Sequence, residues 1–233
     1  MTPSKQTHRN VSFRKLAKEF HALSHQISQY ANRGLLRPHL QQEVLKMMID
    51  FSGCDVVELW LKDHDKYFRC RANRQPEGPV SFEIMPCVKN ENGEILPDFK
   101  DDPNLFSLCR KMILGRIDLS QPGFTSRGSL WIGHAKKSSP PFSPSKRKSY
   151  AHGFKIGEDF HSFAVIPLGV DNQRIGLLLL KSKRGDYFTE DEIELYEDLA
   201  QGLGIALAHG DAEVDLRERV KELTCLYSIA RLA

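Results

Sequence analysis

The residues with the widest chemical range in this 233-residue chain are its five cysteines, Cys54, Cys70, Cys87, Cys109 and Cys225. They are odd in number, scattered, and never in a C-x-x-C pair. That pattern excludes a disulfide scaffold or a zinc ribbon and reads as reduced packing thiols. Cys87 and Cys109 fall in a stretch able to face a pocket, so a thiol-dependent small-molecule enzyme stands as an alternative; it would require an exposed thiol of lowered pKa. His21 and His25 are four apart, a spacing that can bind a metal, but no third ligand accompanies them. His152, Glu158, Asp159 and His161 form a looser group that reads as packing and hydrogen bonding. No metal site is expected. The patterns GxxxxGK[ST], HExxH, GxSxG and GxGxxG are all absent, and so are the Asn- and Gly-rich nucleotide boxes of a kinase. The expectation is a chain without catalytic residues of its own.

Charge narrows the partners. Lys plus Arg number 33 against 30 Asp plus Glu, a net +3, which is no polycation for nucleic acid or an anionic membrane. Locally the balance differs: no acidic residue lies between Leu119 and Gly157, while Arg127, Lys136, Lys137, Lys146, Arg147, Lys148 and Lys155 accumulate. The Ser- and Pro-rich run 135–149 reads as a solvated surface loop. A nucleic-acid-binding regulator using the basic loop 136–155 is the second alternative. The longest apolar run, Ile175–Leu180, is too short to span a bilayer, and MTPSKQTHRN has no apolar segment of a signal peptide. A cytoplasmic location is expected.

The elements that must position these residues follow from periodicity. Residues 1–10 are polar and expected to be disordered. Phe13, Leu16, Phe20, Leu23, Ile27 and Tyr30 then recur at alternating three and four, one stripe of a helix over 11–33 with Ser12 as cap and Asn32-Arg33-Gly34 as stop. A second helix after Pro38 turns Leu40, Val44, Met47, Met48 and Phe51 inward, and Ser52-Gly53 closes it. Val56–Leu61 and Tyr67–Arg71 read as a hairpin, Val80–Met85 and Ser129–Ile132 as short strands, and Leu105–Leu114 as a short helix. Ser162–Leu168 and Arg174–Lys181 form a second hairpin, the latter strand covered on both faces. Thr189 and Glu192 make a capping box for a helix that runs from Glu190 toward Ala233.

That exit helix carries the functional weight. Gly202, Gly204 and Gly210 alone interrupt it, each at a cost of about 1 kcal/mol relative to Ala. Unbroken, it would span roughly 65 Å at 1.5 Å per residue. A domain of about 150 residues is only about 40 Å across. Ile193, Tyr196, Leu199, Leu203 and Leu207 fit a core-facing stripe. Leu216, Val220, Leu223, Tyr227 and Ala230 continue as a coiled-coil seam, flanked by Arg217, Glu218, Arg219, Lys221 and Glu222. The two stripes, Phe13–Tyr30 and Leu216–Ala230, predict a parallel homodimer.

The stretch His161-Ser162-Phe163-Ala164-Val165-Ile166-Pro167-Leu168, then Arg174-Ile175-Gly176-Leu177-Leu178-Leu179-Leu180, then Phe188-Thr189-Glu190-Asp191-Glu192, resembles the ending of a GAF domain. Leu108-Cys109-Arg110 through Gly128-Ser129-Leu130-Trp131 is similar to a GAF subtype that precedes kinase modules in sensor histidine kinases. Arg217–Ala233 looks like the signalling helix that joins such sensors to the next module. The resemblance implies an α+β fold of α/β/α layers, an antiparallel sheet flanked by helices, with long terminal helices and the sensory domain over 35–210. It implies that 211–233 leads to an output module, and that Trp60, Phe68, Cys109, Ser129, Trp131, Phe154, His161 and Phe163 line a small-molecule pocket. The signature of cyclic-nucleotide-binding members and the motif around a bilin-attaching Cys are not matched, which argues against those ligands and leaves ligand and cofactor open.

Overall fold

A computed structural model of the chain describes residues 3–31, 37–63, 66–89, 95–96, 103–121, 123–133, 159–170 and 173–231. Two helices lead, α1 (Pro3–Ala31) and α2 (Arg37–Ser52), followed by β1 (Val56–Asp63), β2 (Lys66–Asn73), β3 (Ser81–Lys89) and β4 (Ile95–Leu96). Then come α3 (Pro103–Ile113), β5 (Leu130–Ile132), β6 (Ser162–Val170), β7 (Gln173–Ser182) and α4 (Glu190–Ala230). The strands form one antiparallel sheet in the order β4-β3-β2-β1-β7-β6-β5, so the two expected hairpins join along β1 and β7.

Alternation along the strands builds two cores, one on each face. Val57, Leu59, Leu61, Cys70, Ala72, Ala164, Ile166, Leu168, Leu178 and Leu180 meet α1, α2 and α4. Trp60, Phe163, Val165, Leu177 and Leu179 point the other way, onto Leu105, Leu108, Cys109, Met112 and Ile113 of α3. The result is the three-layered α+β arrangement expected, and it explains why β6 and β7 read as unbroken apolar runs.

Several expectations change. Residues 3–10, expected to be disordered, belong to α1, whose start lies nine residues ahead of Ser12. Pro3 suits the first helical position and nothing between Ser4 and Val11 breaks a helix, so polarity alone does not stop it. The α1 stripe, expected at a dimer interface, is used within the chain. Phe20, Leu23 and Ile27 are buried against α2 and α4, with Leu16 and Tyr30 packed beside them. Phe20 stacks edge-on against both Phe51 and Tyr196, at 4.7 and 4.8 Å between centroids. The side chains of Phe13, Phe68 and Cys87 lie outside the described residues. So do the Asn32–Gly34 stop, the whole run 134–158 with its basic loop, His152, Phe154 and Glu158.

α4 begins as read. Thr189 caps it, its Oγ1 accepting from Glu192 N at 3.3 Å while Glu192 Oε2 accepts from Thr189 N at 2.8 Å. Ile193, Tyr196, Leu199, Leu203 and Leu207 are all buried. The glycines do not break it, because one of them permits its contact with the sheet. A Cβ on Gly204 would stand 2.8 Å from the carbonyl oxygen of Gly169 in β6. From residue 216 the helix continues without cover: 216–231 are exposed throughout.

Candidate functional site

On the α3 side of the sheet, β1, β2 and β7 carry a cluster of charges within an otherwise apolar face. Glu58 of β1 stands directly opposite Arg71 of β2 in the ladder, one pair along from Cys70 and Leu59. Its carboxylate is fully buried and accepts from Arg69 Nε at 2.7 Å, Arg69 Nη2 at 2.9 Å, Arg71 Nε at 3.1 Å and Trp60 Nε1 at 3.1 Å. Lys181 of β7 adds its Nζ at 3.0 Å. Burial alone would raise the carboxyl's pKa; Lys181, Arg69 and Arg71 outweigh it and hold the group well below the ordinary carboxylate range. Glu58 is therefore an anion at neutral pH, and three cations share it. Phe160 lies 5.7 Å from Lys181 Nζ, and Trp60 lies 5.6 Å under the Arg69 guanidinium.

The expected pocket residues divide between the two faces. Trp60, Cys109 and Phe163 come together on the α3 side as members of one buried cluster. Trp131 packs on the opposite core, against the helices. His161 is half-buried and its backbone N donates to Ser182 O at 2.9 Å. Ser129 is buried, and its Oγ has no hydrogen-bond partner among the described residues. None of these lines the groove of about 520 Å³ between α1, α2 and the start of α4, which has Phe20, Leu23, Met47, Phe51 and Tyr196 as its floor and Glu19, Asp50 and Glu192 at its rim.

Among the described residues, the thiols are buried apart from one. Cys54, Cys70 and Cys109 are enclosed, and Cys225 is exposed on α4. Burial pushes the Cys54 thiol up to about 12, against a hydrogen bond with Ser52 that lowers it, so it stays protonated. Cys70 Sγ donates to Gln41 Oε1 at 2.9 Å. His21 and His25 are exposed on α1, and no trio of His, Cys, Asp or Glu able to hold a metal occurs among the described residues.

The loop between α3 and β5 ties the α3 layer to α4 around the sheet edge. Arg174 of β7 donates to Met112 O near the C-terminus of α3. Farther along, Thr125 Oγ1 donates to the buried Glu197 of α4 at 2.5 Å. Arg127 reaches Asp198 at 2.6 Å and Gln201 at 3.2 Å. The loop that follows α3 is thus held to α4 by side-chain hydrogen bonds.

Residues 129–209 match the family model described as GAF domain. The phycoerythrobilin-bound GAF domain of a cyanobacterial phytochrome is similar at 14% identity and a TM-score of 0.52, over 84% of this chain and 97% of that one. A GAF domain from a phosphoenolpyruvate-protein phosphotransferase of Coxiella burnetii aligns at 17% identity and a TM-score of 0.49, over 85% and 98%. The free methionine-R-sulfoxide reductase of Neisseria meningitidis, in complex with its substrate, aligns at 15% and 0.49, over 84% and 93%. At these identities it is the fold that is shared. No curated protein matches the sequence.

Proposed function

From the premise that the chain contains a GAF domain, a sensory and regulatory fold of signalling proteins, we propose that it is the input and dimerisation region of a cytoplasmic signal-transduction protein. The reading is of the sensor histidine kinase type, with an output module beyond α4 and no reaction carried out by this region. One observation carries it: α4 starts inside the core and runs on into a bare apolar stripe. Leu216, Val220, Leu223 and Tyr227 are between 53% and 67% exposed, with Leu226 and Ile229 beside them. Such a stripe on an isolated helix is stable when a second copy completes it. The corrected dimer model uses this seam alone, since α1 is spent within the chain.

A small ligand, or packing alone, biases two arrangements of α4, and the loop contacts at Glu197 and Asp198 supply the connection from the α3 layer. The ligand shifts the balance only by its difference in affinity for the two. The thiol-dependent alternative gains no support from Cys109, which is fully buried. The test is a fusion of the chain to a histidine kinase catalytic module. One residue inserted between Asp211 and Leu216 turns the tail by about 100° against the globule. Kinase activity should change with one inserted residue and return with seven. Equal activity for all three proteins would overturn the relay.

A further inference from the structure

We propose that the α3 side of the sheet binds a small oxyanion, a carboxylate or a phosphate group, between Arg71 and Lys181. The inference deepens the sensory reading by naming a ligand class, and it rests on that reading only for its purpose. A carboxylate offers about four lone-pair sites. Glu58 already receives Arg69 twice, Trp60, Arg71 and Lys181. It can take no more.

The donors are not exhausted. Lys181 has three N–H groups; among the described residues its one ion pair is with Glu58, and its side chain is 6% exposed. Arg71 directs Nε and Nη2 at the same Oε1, which leaves Nη1 without an acceptor among the described residues. Glu83, across the ladder from Arg71, is exposed and accepts instead from Asn73 at 3.4 Å. Buried cations are ordinarily paired one for one. Here Arg71 and Lys181 divide one oxygen of one carboxylate. Arg71 Nη2 and Lys181 Nζ stand 3.1 and 3.0 Å from that one oxygen, so the second N–H of Nη2 and an N–H of Nζ lie close enough together for a single oxyanion to accept from both.

Glu58 thereby acts as a positioning residue. It fixes the two cations before any ligand arrives, so little side-chain entropy is lost on binding. The ring of Phe160 stands 5.7 Å from Lys181 Nζ and keeps the site from being a flat surface patch.

The experiment is calorimetric titration of the full chain with inorganic phosphate and, separately, malonate, at constant ionic strength with chloride as the balancing salt. Saturable one-site binding of either anion is expected. The tighter of the two tells a phosphate-bearing from a carboxylate-bearing ligand. Arg71→Gln and Lys181→Met should each weaken it about tenfold or more, the loss of a charge-assisted hydrogen bond. Lys183→Gln, at an exposed neighbouring cation, should leave it unchanged. Arg69 keeps its two-pronged hold on Glu58 in both test variants, and far-UV circular dichroism checks their folding; if one fails to fold, the other is decisive. Leu223→Asp should bind as the parent does, which separates the site from the dimer seam. Absence of saturable binding to both anions overturns the proposal. So does parental affinity in the folded cation variants, an equal loss in Lys183→Gln, or loss in Leu223→Asp.

Discussion

Replacing Glu58 by Gln should expose how much of the fold depends on one buried charge. The amide keeps the shape and one acceptor oxygen, but Arg69, Arg71 and Lys181 then stand together with no counter-charge from β1. Removing one partner from a buried ion pair costs about 3–5 kcal/mol. The retained hydrogen bonds place this case at the lower end, about 3 kcal/mol, a large part of the roughly 5–15 kcal/mol that holds a domain folded. At about 2–4 °C per kcal/mol for a chain of this size, the melting temperature should fall by about 6–12 °C at neutral pH. The pH dependence supplies the sign. Glu58's folded pKa is depressed, so its contribution is fully present above its unfolded value, near 4.5, and is lost as pH falls toward the folded value. Thermal melts followed by circular dichroism should show a constant gap between parent and variant at neutral and mildly acid pH. The gap should narrow as the pH drops below 4.5. A variant that melts within a degree or two of the parent, or a gap that ignores pH, would refute the assignment of Glu58 as the charge that organises the cluster.

Two further outcomes follow from packing. Gly204→Ala should destabilise although Ala is the better helix former by about 1 kcal/mol, because its Cβ would meet Gly169 O at 2.8 Å. A raised melting temperature would mean that α4 does not approach β6 as described. Brief iodoacetamide treatment of the native protein, followed by peptide mass mapping, should label Cys225 while Cys54, Cys70 and Cys109 react only on unfolding. Fast labelling of Cys54 would contradict both its burial and its raised pKa.

Much of this architecture is legible in local pattern. The Thr189–Glu192 box, the Ile193–Leu207 stripe and the change of seam after Leu216 are short-range signals, and α4 follows them. The run at β7 announces burial on both faces, and that strand lies between the two cores. The α1 stripe shows the limit: Phe20, Leu23 and Ile27 recur at helical spacing whether the surface they meet belongs to the same chain or another. Its true partner, Tyr196, is far away in sequence.

The charged cluster had a signal that went unread. A single Glu inside Val56-Val57-Glu58-Leu59-Trp60-Leu61, opposed by Arg69 and Arg71 at period two, marks a charge pointing into a sheet face. What sequence alone withholds is the register: only the pairing of Glu58 with Arg71 on one side and Leu179 on the other brings Lys181 to the same carboxylate. The pocket residues carried over by resemblance scattered for a related reason. Trp60 and Trp131 are equally plausible aromatic walls in a linear reading, yet they fall on opposite faces of the sheet.

The claim at the centre is that the bare stretch of α4 is completed by a second copy of the chain, and sedimentation equilibrium at roughly tens of micromolar tests it most directly. The parent should sediment with the mass of two chains and Leu223→Asp with the mass of one, at an unchanged melting temperature for the globule, since Leu223 is 65% exposed and buries nothing at home. A parent that sediments as one chain, or a Leu223→Asp protein that remains paired, would contradict it.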